Sequence, residues 1–269
     1  MGLKGLLAAR KAAKLQSQGN VKEAMAAYEE AMNKGLDDMR FILAYAVLLI
    51  RNDEYQKAKE LLVAKQKLPM NPEQKSQLFM DYAVCCYKLG DIDRGIRLIE
   101  EQHRRQARGL LYETLGYLYV EKYCMENKPS LEAAEDAAQA ADGEDAAARE
   151  SELSPEEAWN QGVDKALAFL KEAVDYDEDD AICMDNMAQF YYRVQGDKAE
   201  AKTWFDKALA LKDNQIDTLW FLSRYDLEQG DTAAAIDKLE TALDGRFSPL
   251  NYATKASISK ELARLKGEA

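Results

Sequence analysis

A short pattern returns along this chain at intervals close to 34 residues, and no other feature restricts its fold as strongly. The segments QGNVKEAMAAYEEAM (18–32), LGDIDRGIRLIEEQ (89–102), QGDKAEAKTWFDKAL (195–209) and QGDTAAAIDKLETAL (229–243) each begin around a turn glycine and continue with helically spaced apolar residues. Five residues after Gly19, Gly90, Gly196 and Gly230 stands a small residue, Ala24, Gly95, Ala201 or Ala235, and four residues later a large one, Tyr28, Ile99, Phe205 or Leu239. The small residue lets two helices approach closely, and the large one fills the space beside the contact. Two fainter copies, NDEYQKAKELL (52–62) and QGVDKALAFLKEAV (161–174), keep Ala58 with Leu62 and Ala166 with Leu170. Upstream of each copy lies another amphipathic stretch with a small residue of its own: Ala12, Ala46, Ala83, Gly116, Ala188 and Ser223.

Period-two alternation of β-branched residues is absent, so the chain reads as all-α. Its five prolines fall between the apolar-periodic segments, where a missing N–H costs nothing. Asn71-Pro72-Glu73-Gln74 and Ser154-Pro155-Glu156-Glu157 each combine a capping side chain, a first-turn proline and a reciprocal Gln or Glu, which predicts helix starts at both.

Taken together, the copies resemble the tetratricopeptide repeat family over about residues 5–244. That resemblance implies a right-handed superhelical solenoid of about six helix–turn–helix units. The tail at 249–266, after Ser248 as its cap, then reads as a C-terminal capping helix. Lys65 and Gln102 depart from the alanine found at that place in other copies, which predicts looser packing there. One unit is interrupted by residues 126–158, which hold 11 acidic and 2 basic residues and so carry −9 of the total charge of −12. Ala-rich and poor in large apolar side chains, this insertion reads as a solvated, partly helical or disordered loop, with a degenerate seventh repeat as the alternative.

The resemblance also implies a ligand-binding concave face, lined by the exposed side of each first helix. On this chain that face comprises Arg40, Leu43, Val47 and Arg51, then Met80, Val84, Tyr87 and Lys88. It continues through Tyr117, Tyr192, Arg193, Trp220 and Arg224. Aromatic residues between arginines suit a peptide or amphipathic helix, although Tyr117, Tyr192 and Trp220 fit core packing equally well. The family's clamp for an acidic chaperone tail is missing, because Ala9 and Ala13 occupy its first positions. The acidic insertion could compete for the groove's cations, Arg40, Arg51, Lys88, Arg193 and Arg224.

Other chemistries find little support. One histidine, His103, closes every scheme needing two imidazoles, and without a nucleophile motif it reads as a surface residue. DYDEDD (175–180) lacks the glycine and closing glutamate of a calcium loop and reads as a polar turn. Cys85, Cys86, Cys124 and Cys183 have no paired spacing and read as buried apolar residues in a reducing compartment. A pI near 4.8 opposes nucleic-acid binding. The expectation is therefore a non-catalytic protein- or peptide-binding scaffold without cofactor or metal. A self-assembling structural subunit is the alternative, and a groove-based small-molecule binder or enzyme ranks behind it. The chain contains no apolar run of membrane-spanning length, which suggests a cytoplasmic protein, or one on the cytoplasmic side of a membrane if an anchor is missing. Five basic and no acidic residues in the first 22 would permit weak contact with an anionic membrane.

Overall fold

In the computed structural model, which describes residues 3–128 and 153–267, all regular structure among the described residues is helical. The chain divides into two compact units, Met1–Leu118 with Ser248–Leu250, and Tyr119–Phe247 with Asn251–Ala269.

The first unit contains α1 (Leu3–Ser17), α2 (Val21–Asn33), α3 (Met39–Arg51), α4 (Tyr55–Lys65), α5 (Pro72–Lys88), α6 (Ile92–Arg105) and most of α7 (Gly109–Tyr123). These helices pack in consecutive pairs, α1 on α2, α3 on α4 and α5 on α6. Ala12, Ala24, Ala46, Ala58 and Ala83 are fully buried, as the small-residue pattern requires. Gly95 shows how tight the contact is: a Cβ there would lie 3.0 Å from the Ala83 carbonyl oxygen. The large residues fill the adjoining space, with Tyr28 stacked on Tyr45 at 5.2 Å between ring centroids. Gln102 is buried but borders a cavity of about 280 Å³ with Ser76, Phe79 and Leu111, and Lys65 is half-buried. Asn71 forms its full capping box with Gln74 at the start of α5.

The second unit contains the end of α7, a 3-10 turn at Met125–Asn127, α8 (Pro155–Tyr176), α9 (Ala181–Gln189), α10 (Lys198–Leu211), α11 (Ile216–Glu228), α12 (Thr232–Leu243) and α13 (Lys255–Lys266). Ala166, Ala188, Ala201, Ser223 and Ala235 are fully buried, and α9 pairs with α10 and α11 with α12. Directly after α9 the backbone widens into a π-helical turn, Phe190–Gln195. The cause can be counted. The small residues of a pair stand 12 apart at Ala12–Ala24, Ala46–Ala58, Ala83–Gly95 and Ser223–Ala235, but 13 apart at Ala188–Ala201. The surplus residue is absorbed when the Gly196 N–H bonds to the Tyr191 carbonyl, five residues back.

Two expected boundaries move. The tail helix starts at Lys255, not Pro249, with Thr254 and Ser257 as its capping box. Residues 249–254 cannot join it, because the Tyr252 and Ala253 N–H groups are committed to the Asp217 carboxylate at 3.0 and 2.9 Å. Helix α8 starts at Pro155, within the span assigned to the acidic insertion, where Ser154 and Glu157 cap each other reciprocally. The rest of that insertion, 129–152, lies outside the described residues.

Candidate functional site

Helix α3, MRFILAYAVLLIR, is apolar over almost its whole length, and Asp38 caps it by accepting the Arg40 N–H at 3.1 Å. One side, with Ile42, Ala46 and Leu49, is fully buried. Another side meets α5. There Val47, Ile50 and Arg51 of α3 and Gln77, Met80, Asp81 and Val84 of α5 line a cavity of about 130 Å³. The remaining wall of this first-unit cavity is the non-helical tripeptide Ser248-Pro249-Leu250. Leu250 packs on the hydrophobic cluster that contains Leu48, Ile50 and Val84.

One group in this apolar setting is out of character. Asp81 is 2% exposed; its Oδ1 accepts a bond from Gln77 Nε2 at 2.9 Å, and its Oδ2 has no hydrogen-bond partner. Burial pushes its pKa up to about 8, with the Gln77 bond and the Arg51 charge opposing more weakly.

Of the predicted binding residues in this unit, Val47 and Met80 are half-buried and Arg51 is exposed, all on the cavity. Leu43 and Val84 are buried, so they support the surface and do not display themselves on it. Tyr87 is half-buried, with its ring edge-on to buried Tyr117 at 6.0 Å and the Lys88 ammonium 4.7 Å above it. Arg40 is exposed but folds back on its own cap, with Nη2 2.6 Å from Asp38.

The second unit treats its predicted residues differently. Tyr192 packs within 5.0 Å of Phe221 and 6.4 Å of Phe205, which makes it part of the core cluster. Arg193 is buried and bonds Glu121 at 2.5 Å, and its guanidinium lies 4.2 Å over the Tyr252 ring. Arg224 covers Trp220 at 4.1 Å and bonds Glu261 of α13 at 2.7 Å. Of these, Arg193 is buried while Tyr192, Trp220 and Arg224 are half-buried, and the cations expected to attract the acidic insertion are mostly paired already. Below them lie two buried carboxylates. Asp217 accepts Asn251 Nδ2 as well as the two backbone N–H groups, and Asp185 accepts Thr218 Oγ1 at 2.5 Å and Gln189 Nε2 at 2.7 Å. Burial and the neighbouring Asp217 charge hold Asp185 well above the ordinary carboxylate range.

The other candidates resolve into structure. All four cysteines are buried and none is in a disulfide, and burial raises the Cys85 thiol to about 12 and that of Cys124 to about 11. Thiols raised in this way stay protonated and unreactive. Within DYDEDD, Asp180 caps α9 by accepting the Ile182 and Cys183 N–H groups. Half-buried His103 meets Tyr112 edge-on at 4.5 Å, so it is a packing residue and not a surface one. Among the described residues there is no group of His, Cys, Asp or Glu arranged to hold a metal, and no helix long and apolar enough to cross a membrane. What sequence reasoning missed was Asp81 and the tripeptide 248–250. The signal for the first was a lone carboxylate amid the apolar run of α5. For the second it was the length of the α12–α13 connection.

No family model and no curated protein matches the sequence. Solved structures do. TTC0263, a thermophilic TPR protein of Thermus thermophilus, aligns with a TM-score of 0.58 at 18% identity, over 85% of this chain and 99% of that one. MamA (41-end) of Desulfovibrio magneticus RS-1 aligns with a TM-score of 0.52 at 16% identity, over 80% and 98%. Human IFIT1, solved as a dimer with m7Gppp-AAAA, aligns with a TM-score of 0.55 at 14% identity, over 93% of this chain and 56% of that one. Identities this low speak to architecture alone, and with the buried small-residue contacts of the helix pairs they establish that this chain has the tetratricopeptide-repeat fold.

Proposed function

We propose that the chain is a non-catalytic binding scaffold that takes a protein segment on the α3/α5 face of its first unit. The observation that carries this reading is the cavity between those helices, with an apolar lining from Val47, Met80 and Val84 and polar groups from Arg51 and Gln77. Apolar surface beside hydrogen-bonding groups is the chemistry by which helical repeats hold peptides. Tyr87, Lys88 and Arg40 extend the surface along the same helices, while Leu43 and Tyr117 support it from beneath. Tyr192, Arg193, Trp220 and Arg224 enter this reading as the packed framework of the second unit. The RNA in the IFIT1 structure is not carried over, because a chain of net charge −12 repels a phosphate backbone. Four buried cysteines with no disulfide among them fit a reducing compartment.

Peptide display against the intact chain tests the proposal. Enriched peptides should lose binding in Met80→Glu, which places a charge in the apolar lining. Peptides that bind the variant and the parent equally would mean that the ligand surface lies elsewhere.

A further inference from the structure

On the side of α5 that meets α6, away from Met80 and Val84, two cavities of the first unit adjoin at one ring. The first, of about 280 Å³, lies where α5 begins and α6 ends, and Lys75, Gln102, Arg105, Gln106 and Arg108 supply polar lining. The second, of about 270 Å³, is walled by Val63, Leu78, Tyr82 and Leu98, with Arg94 beside them. Phe79 lines both. Among the described residues no carboxylate lines either cavity, although the chain holds 48 acidic residues and a net charge of −12.

The first cavity contains a polar group whose bonding is incomplete. Gln102 stands where Ala31, Ala173, Ala208 and Ala242 stand in other copies. It is 8% exposed and lines the cavity, and its side-chain amide makes no hydrogen bond among the described residues. A buried amide with an unused donor and acceptor carries a cost that a ligand's polar groups would remove. The cations nearby are open to exchange. Lys75 lies 5.9 Å from the Phe79 ring centre and has no ion pair among the described residues. Arg108 meets Glu73 at 3.3 Å and Arg105 meets Glu101, and both glutamates are exposed, so these pairs are weak competitors. At the second cavity Lys59 and Arg94 each lie 5.7 Å from the Tyr82 ring centre, again without an ion pair among the described residues.

Two unlike cavities select a ligand with two unlike groups. Gln102 and Leu98 are four residues apart on α6, a rise of about 6 Å, and Ser76 and Tyr82 are six apart on α5, about 9 Å. Side chains two residues apart on an extended peptide are separated by about 7 Å, and those four apart on a helix by about 6 Å. A small anion would fill the first cavity alone. We propose that the α5/α6 face is a second docking surface, beyond the α3/α5 one, and that its occupant is an acidic segment of a partner protein. That segment places a carboxylate beside Lys75 and Gln102 and an apolar side chain, two to four residues away, in the cavity past Phe79.

The test is peptide display on the full chain, with a library that fixes one glutamate and one leucine two to four residues apart and randomises the rest. Enriched peptides should bind at least about tenfold more tightly than versions with glutamine for the fixed glutamate, since a charged hydrogen bond is lost. Versions with alanine for the leucine should bind several-fold more weakly. Gln102→Ala, which restores the residue of the other copies, and Lys75→Gln, at an exposed position, should each shrink the glutamate preference several-fold, and Val63→Gln should shrink the leucine preference. Lys14→Gln on α1 and Met80→Glu on the α3/α5 surface should change neither. If Gln102→Ala unfolds the chain, Lys75→Gln decides alone. No enrichment, equal binding of glutamate and glutamine versions, or an equal loss in Lys14→Gln would overturn the inference. So would competition by free glutamate or inorganic phosphate at the peptide's own concentration, which would make this a small-anion site. Binding that appears only after 129–152 is replaced by a neutral linker would make that stretch the occupant, and dimerisation abolished by Lys75→Gln would make it a second copy; either result overturns the inference. Peptides that lose binding in Met80→Glu and keep it in Gln102→Ala would belong to the α3/α5 surface, refuting this second surface and leaving the first reading in place.

Discussion

A carboxyl group only 2% exposed, with one oxygen bonded and the other bare, shifts the balance of folding with pH. Asp81 is held at about 8 in the folded chain against an ordinary 3.8. The folded state therefore binds its proton more tightly than the unfolded state, so this group's contribution to stability is complete below pH 3.8 and is lost as pH rises through 8. Between those values one proton gives a slope approaching about 1.4 kcal/mol per pH unit. Asp81→Asn keeps the neutral shape without titrating. Its stability from urea unfolding at pH 5, 6 and 7 should fall more slowly with pH than that of the parent, and parallel curves would mean that Asp81 is ionised and solvated. This residue was not legible as special beforehand. The alternation of small and large residues gave away the packed positions, because Ala24, Ala58, Ala166 and Ala201 repeat in step with helix geometry. A carboxylate's environment depends instead on what folds over it, and for Asp81 that includes residues 248–250, far along the chain. Asp217 is the same case, since its partners Asn251, Tyr252 and Ala253 belong to a loop with no periodic signal.

At the level of helices, the pairs are held by contacts that tolerate no extra volume. Ala201 of α10 is fully buried in one cluster with Ala188, Phe205, Phe221 and Leu222. Ala201→Leu should push α10 off α9 and cost about 1–3 kcal/mol, read as a lowered melting temperature by circular dichroism. A variant melting with the parent would place residue 201 at a looser contact than its burial indicates. Helix existence and pairing followed directly from the repeat, and so did the capped starts at Asn71 and Ser154, where the reciprocal bonds are local. The start of the last helix did not. Ser248-Pro249 looks like the start, but Asp217 withdraws the backbone N–H groups of residues 252 and 253 from any helix, and the helix begins only after Thr254. The π-turn at Phe190–Gln195 was present in the count of 13 against 12, yet periodicity alone does not say where along a helix a surplus residue will be placed.

Repeat folds are stabilised chiefly by contacts between neighbouring segments, so damage should remain where it is done. Phe205 is fully buried and stacked on Phe221 at 5.1 Å in the second unit. Phe205→Ala should remove about 3–5 kcal/mol of protection from amides of α9 to α12, while amides of α1 to α4 in the first unit exchange nearly as before. Uniform loss across both units would show that the whole chain unfolds as one cooperative body. The widened turn after α9 bears on how such a chain changes over generations. A helix that gained a residue without correction would turn every later side chain by roughly 100°, and each downstream alanine would leave its contact. Here the spacing returns to five between Gly196 and Ala201, the same as after Gly19, Gly90 and Gly230. The turn works as a phase reset: it confines a one-residue error in counting to the segment where it arose, and the later repeats inherit their register intact.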